Sequence, residues 1–134
     1  MEYNSITSIN CIGIDFGLRH CGIAIGQTLT RNARPLTIIK AINGAIAMYQ
    51  LEAIIHTYQI KTIVIGSICD HTLAKILLSF SQLLRHRHPN LKIYFVEEMG
   101  TSKEARILVK SRRQRDDAIA ASLILENWFN EISR

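Results

Sequence analysis

The run Cys11-Ile12-Gly13-Ile14-Asp15-Phe16 places the strongest constraint on the fold. It is short, apolar and bounded by glycine, the pattern of a strand buried on both faces. Gly17-Leu18-Arg19-His20 reads as a turn, and Cys21-Gly22-Ile23-Ala24-Ile25-Gly26 as a second strand running back, so the two form a hairpin. Ala33 to Ala41 supplies a third strand, and Pro35 near its start indicates an edge position.

Helical spacing follows. Ala45 to Tyr58 repeats apolar residues at Ala47, Met48, Leu51, Ile54, Ile55 and Tyr58. Lys61 to Gly66 is a β-branched strand. Thr72 to His86 is a helix with Leu73, Ile76, Leu77, Phe80, Leu83 and Leu84 on its apolar side. Leu91 to Val96 is another strand, running straight into Glu97-Glu98. Thr101 and Glu104 have the spacing of a capping box at the start of a short helix. A last helix spans about Asp116 to Phe129. The order predicts one domain over residues 1–134, an α/β fold with a mixed five-stranded sheet. Three strands form an antiparallel meander and two more run parallel, with helices flanking both faces.

At 134 residues the chain is too short for two catalytic lobes. This excludes a sugar-kinase or actin-like ATPase, although the Asp-x-Gly hairpin is shared. No apolar run approaches the roughly 20 residues that span a bilayer, and Met1 to Asn10 lacks the basic start and apolar stretch of a secretion signal. Cys11, Cys21 and Cys69 lack CxxC spacing and read as small apolar fillers in a reduced compartment, so a cytoplasmic location is expected. The five histidines (His20, His56, His71, His86, His88) show no metal-binding spacing, and none is assigned to catalysis.

Lys+Arg exceed Asp+Glu by 16 to 11, a net charge of +5. Thr101 to Arg115 alone carries six basic residues (Lys103, Arg106, Lys110, Arg112, Arg113, Arg115) against Glu104, which accounts for the whole excess. That balance favours a polyanionic partner such as nucleic acid or an anionic membrane surface, and the run ends directly on Asp116-Asp117. The smaller run Arg85-His86-Arg87-His88 reads as a solvated helix end.

The acids are placed informatively. Asp15 closes an otherwise apolar strand, where an unpaired carboxylate would cost several kcal/mol, so it needs a charged or hydrogen-bonding partner. Glu97 and Glu98 follow another buried strand, and alternation lets at most one of them share a face with Asp15. Asp117 lies on the apolar stripe of the last helix, with Ala121, Ile124 and Trp128; Asp116 is better placed as an N-cap or first-turn residue. Asp117 alone also fits an acid complementing the helix dipole. Three carboxylates at element ends are the ligand set that Mg²⁺ requires, since this hard ion takes oxygen ligands and keeps several waters. Gly13, Gly17 and Gly22 around Asp15 read either as permissive backbone for a tight hairpin or as small residues admitting a phosphate backbone.

Taken in order, several segments resemble the YqgF family, also called RuvX. The matching segments are Gly13-Ile14-Asp15-Phe16-Gly17 with Arg19 and Gly22-Ile23-Ala24-Ile25-Gly26, then Ala33-Arg34-Pro35-Leu36 and Val64-Ile65-Gly66. They continue with Val96-Glu97-Glu98 before Thr101-Ser102-Lys103-Glu104-Ala105, and close with Asp117-Ala118-Ile119-Ala120-Ala121-Ser122-Leu123-Ile124-Leu125-Glu126. The resemblance implies a ribonuclease H-like fold and a metal-dependent nuclease site of Asp15, Glu98 and Asp117, holding Mg²⁺ or Mn²⁺. It implies action on precursor 16S ribosomal RNA or, by analogy with a related fold, on four-way DNA junctions. The chain departs from the family pattern in the short Ser67-Ile68-Cys69-Asp70-His71 loop, at Met99-Gly100, and in the trimmed stretch before Asp117. Arg19, Lys103, Lys110, Arg112, Arg113 and Arg115 are the expected nucleic-acid contacts. The partner is structured RNA or branched DNA, with the chain a monomer or weak homodimer. A non-catalytic RNA-binding assembly factor is the reading from another class.

Overall fold

The computed structural model describes residues 8–42, 45–67, 71–97 and 115–132. The chain runs β1 (Asn10–Asp15), β2 (His20–Gln27), β3 (Ala33–Ile42), β4 (Ala45–Ile46), α1 (Met48–Thr57), β5 (Thr62–Ser67), α2 (His71–Arg87), β6 (Lys92–Glu97) and α3 (Arg115–Ile132). The strands form one sheet in the order β4-β3-β2-β1-β5-β6. The β1–β2, β2–β3 and β3–β4 pairs are antiparallel, whereas β1–β5 and β5–β6 are parallel. The meander and the two parallel strands match the sequence reading, but the sheet has six strands rather than five.

The extra strand comes from residues assigned to the first helix. Ala45-Ile46 satisfies either periodicity over so short a span, and here it pairs with Ala41 and Ile42. Ala47 has an extended backbone (φ −69°, ψ 94°) and no side chain able to cap, so α1 begins only at Met48. Among the described residues, Pro35 sits where β3 has β2 on one side and no strand on the other, since β4 reaches only Ala41 and Ile42. A proline there has only the β2 ladder to disturb, and the β2–β3 register shifts beside it, between Ile23 and Ala24.

Alternation sorts the strand residues into two cores. Ile12, Ile14, Cys21, Ile23, Ile39, Ile63 and Ile65 pack with Leu51 and Ile55 of α1 and with Leu77, Phe80 and Leu84 of α2. The Phe16 and Phe80 rings meet at 5.2 Å. Cys11 and Val64 pack instead with Ile124, Leu125 and Phe129 of α3. Leu83, expected on the apolar side of α2, is 48% exposed. Its position lies a helical step from Leu84, outside the stripe through residues 77, 80 and 84. The short helix expected near Thr101 lies outside the described residues. Among those residues, no helix is long and apolar enough to cross a membrane.

The basic end of α2 has a structural partner. Arg87 donates to both carboxylate oxygens of Glu52 on α1, at 2.6 and 2.8 Å, and His88 Nε2 lies 2.8 Å from the same carboxylate. The Arg87 bonds, then that of His88, hold the Glu52 carboxyl at about 2, well below the usual range. A carboxyl lowered on folding stabilises the fold above its ordinary range, and that contribution is lost as pH falls from about 4.5 towards 2. Glu52→Gln should therefore melt a few degrees below wild type at neutral pH. Thermal melts near pH 2 should show the gap closed.

Candidate active site

Asp15 is the last residue of β1. Its partner on β2 is Gly22 and its partner on β5 is Gly66, so neither lateral neighbour has a side chain. The Phe16 amide donates to the Gly66 carbonyl at 3.0 Å, which carries the pairing past the acid and fixes its backbone. Only 3% of Asp15 is exposed.

The second acid arrives on α3. A Cβ built on Gly22 would lie 2.0 Å from the Asp117 carbonyl oxygen and 2.7 Å from the Ala118 nitrogen. The first turns of α3 thus rest directly on the bare strand beside Asp15. Further along the same helix, a Cβ on Gly13 would lie 2.7 Å from the Ala121 carbonyl oxygen, and one on Gly66 would lie 2.6 Å from Ile124 Cδ1. Gly13 and Gly22 are accordingly neither permissive hairpin backbone nor an opening for phosphate: neither has a left-handed φ, and both give up their side chains to the close approach of α3. Gly17 keeps the tight-turn role, since a Cβ there would meet the His20 carbonyl oxygen at 2.7 Å. Reading Gly13 with Asp15, and Gly22 with Gly26, as one face at period two was the available signal for a helix seated on the sheet.

The charge of both acids is felt at one point. The Cys21 thiol is pushed up to about 11, chiefly by burial, with the negative charges of Asp15 and Asp117 acting in the same direction. It donates to the Gly17 carbonyl at 3.7 Å and stays protonated at neutral pH, which makes it a filler and not a nucleophile. Burial likewise raises the Cys11 thiol to about 11. Both are free and buried, as expected of packing residues.

Among the described residues no group of three His, Cys, Asp or Glu side chains is placed to hold a metal ion. Asp15 and Asp117 come together. Glu98, the third expected ligand, lies outside the described residues, as do Lys103, Lys110, Arg112 and Arg113. Arg115 opens α3. Strand β6 delivers its chain to the same end of the sheet, with Val96 paired to Gly66, the neighbour of Asp15. Tyr94 stacks on Trp128 at 5.2 Å and Val96 packs into the α3 core, so the even positions of β6 share the Asp15 face. Arg19 is exposed in the β1–β2 turn, and its carbonyl accepts the Ala41 amide of β3 at 2.7 Å.

The profile of the RuvX family, described as Holliday junction resolvase, matches residues 9–131. The chain belongs to the RuvX family. Curated relatives agree: a protein of Nitrosococcus oceani is 34% identical over 131 residues, covering 90% of this chain and 86% of its own length. One of Hydrogenovibrio crunogenus is 32% identical over 126 residues, covering 90% and 93%. Both carry the name "Putative pre-16S rRNA nuclease". Among solved structures, Thermus thermophilus RuvC in complex with a Holliday junction substrate aligns with a TM-score of 0.56 at 16% identity, covering 93% of this chain and 96% of its own. Fowlpox virus resolvase with its junction DNA aligns at 0.62 and 10% identity, covering 94% and 100%. At such identities the likeness establishes this RuvX chain's ribonuclease H-like α/β fold.

Proposed function

We propose that this RuvX-family chain is a Mg²⁺-dependent endonuclease that processes the 5′ end of precursor 16S ribosomal RNA. The observation that carries the reading is the burial of Asp15 at the end of a central strand, with α3 seated on Gly22 so that Asp117 stands beside it. Two carboxylates at one corner, Asp15 buried and Asp117 partly so, suit a hard divalent cation, because oxygen donors are what such an ion prefers and its charge offsets theirs. The names of the curated relatives supply the substrate.

Asp15 and Asp117 would hold the ion, with Glu98 as third ligand. Alternation on β6 favours Glu98 over Glu97, since Tyr94 and Val96 already occupy the Asp15 face. When bound, Mg²⁺ (or Mn²⁺) stabilises the negative charge that develops on the phosphodiester oxygens during hydrolysis. The protein's part is to keep the acids fixed. Asp15 is held by pairing on both sides and Asp117 by the helix packed across the strand, so little reorganisation remains when substrate arrives. Lys103, Lys110, Arg112, Arg113 and Arg115 would neutralise phosphates, and Arg19 would do so at the turn beside Asp15.

The test is cleavage of precursor 16S RNA and of a four-way DNA junction, side by side, with Mg²⁺, Mn²⁺ or EDTA. The expected result is trimming of the RNA 5′ end with either metal and none in EDTA. Binding without cleavage under every metal would leave an RNA-binding assembly factor. The likeness to RuvC and fowlpox resolvase favours junction resolution as the second reading. That activity requires a dimer to cut two strands symmetrically, so symmetric junction cutting by a dimer with intact RNA would select it.

A further inference from the structure

The face of the sheet that carries Asp15 continues beyond the acids. Asp15 pairs with Gly22, Gly22 with Ile38, and His20 with Lys40. Residues directly opposite in a sheet share a face, so His20, Ile38 and Lys40 lie on the Asp15 side. Cys21 and Ile39, between them, are buried in the opposite core. With strands about 4.8 Å apart, Ile38 lies about 10 Å across the sheet from Asp15.

Where the edge of the sheet turns from that face to the α1 side, a groove of about 850 Å³ opens, lined among others by Arg19, His20, Ile38 and Lys40 from the strands and by Tyr49 and Gln50 from α1; no described Asp or Glu lines it. Tyr49 is 72% exposed, and Arg19 and Lys40 are exposed as well. The Arg19 turn is fastened against β3 by the bond from the Ala41 amide, which sets both cations along one wall. Cations with no counter-acid among the described residues, beside an aromatic ring open to solvent, match the backbone and bases of an unpaired strand. Phosphates take the charges, and any base can stack on the ring.

Resting on the nuclease reading above, we propose that this groove holds the single-stranded nucleic-acid segment next to the scissile phosphate. Arg19 and Lys40 contact its phosphates and Tyr49 stacks on one of its bases. The distance to Asp15 is short enough for one strand to run from the groove to the acids within a few nucleotides.

The test uses the full chain carrying Asp15→Asn, in EDTA, so that binding is read without cleavage. Anisotropy of a labelled single-stranded RNA of about ten nucleotides gives affinity across a salt series. Adding Tyr49→Ala should weaken binding about 5- to 150-fold. Lys40→Gln should lower the slope of log affinity against log salt by about 0.7, the share of one phosphate on a single strand. Lys61→Gln, at the opposite end of the sheet, should change neither. Unaltered affinity and slope in the Tyr49 and Lys40 variants would overturn the proposal. So would a Tyr49→Ala variant with changed self-association in sedimentation but intact RNA affinity, because the groove would then be a surface between copies of the chain. Loss of binding in these variants, together with a wild-type chain that cuts under no metal, would sink the nuclease reading and leave the groove standing.

Discussion

Asp15→Asn should leave a folded, RNA-binding protein that no longer cuts. The loss should reach at least about 10³-fold, since the charge stabilisation at stake is several kcal/mol and each 1.36 kcal/mol is tenfold in rate. Asparagine matches aspartate in shape, and the acid's lateral neighbours are two glycines, so the packing has no reason to change. The decisive readout is the response to the ion. Saturating Mg²⁺ should raise the wild-type melting temperature, by the equivalent of about 2.7 kcal/mol at a hundred times the dissociation constant. The variant should show little or none of that rise. Full cleavage by Asp15→Asn, or an unchanged Mg²⁺ response, would remove Asp15 from the site.

Gly22→Ala tests the geometry from the other side, without touching an acid. The added methyl would sit 2.0 Å from the Asp117 carbonyl oxygen, a backbone atom within a helix that cannot rotate aside. The first turns of α3 must lift by more than about 1 Å to reach ordinary contact. Overpacking of this kind costs about 1–3 kcal/mol or more, and a displacement of that size at a catalytic group costs about 10²-fold in rate. Gly66→Ala is the matched comparison. It flanks Asp15 on the other side, but its Cβ would press on the tip of the Ile124 side chain, at 2.6 Å. Its stability and activity losses should be smaller than those of Gly22→Ala, as melting curves and cleavage rates measured together would show. Equal losses would mean that crowding of α3 as a whole, and not the seat of Asp117, controls the site.

Some of this design is written in local pattern. The apolar run around Asp15, the β-branched Thr62–Ser67 and the stripe of α3 each carry their own periodicity, because burial of one face imposes a repeat that a short window displays. The isolated acid at the end of the first strand was legible for the same reason: a charge amid apolar neighbours has no local explanation. Ala45-Ile46 was not legible as a strand, since two residues carry no period and the pairing partner, Ala41-Ile42, decides their conformation. Leu83 misled because apolar character says nothing about which side of a helix the sheet covers.

The glycines divide the two kinds of information most clearly. Composition and spacing by themselves determined a mixed α/β sheet, an acid at a strand end, a second acid at the head of the last helix, and a basic segment before it. Only the tertiary structure decided that Gly13 and Gly22 serve the approach of α3, that Asp117 is thereby set beside Asp15, and that His20 and Lys40 share the face of the acids. The physical reason is that a missing side chain leaves no trace of its own in a sequence; its meaning lies in the backbone atom that fills the space, and that atom comes from a segment about a hundred residues away.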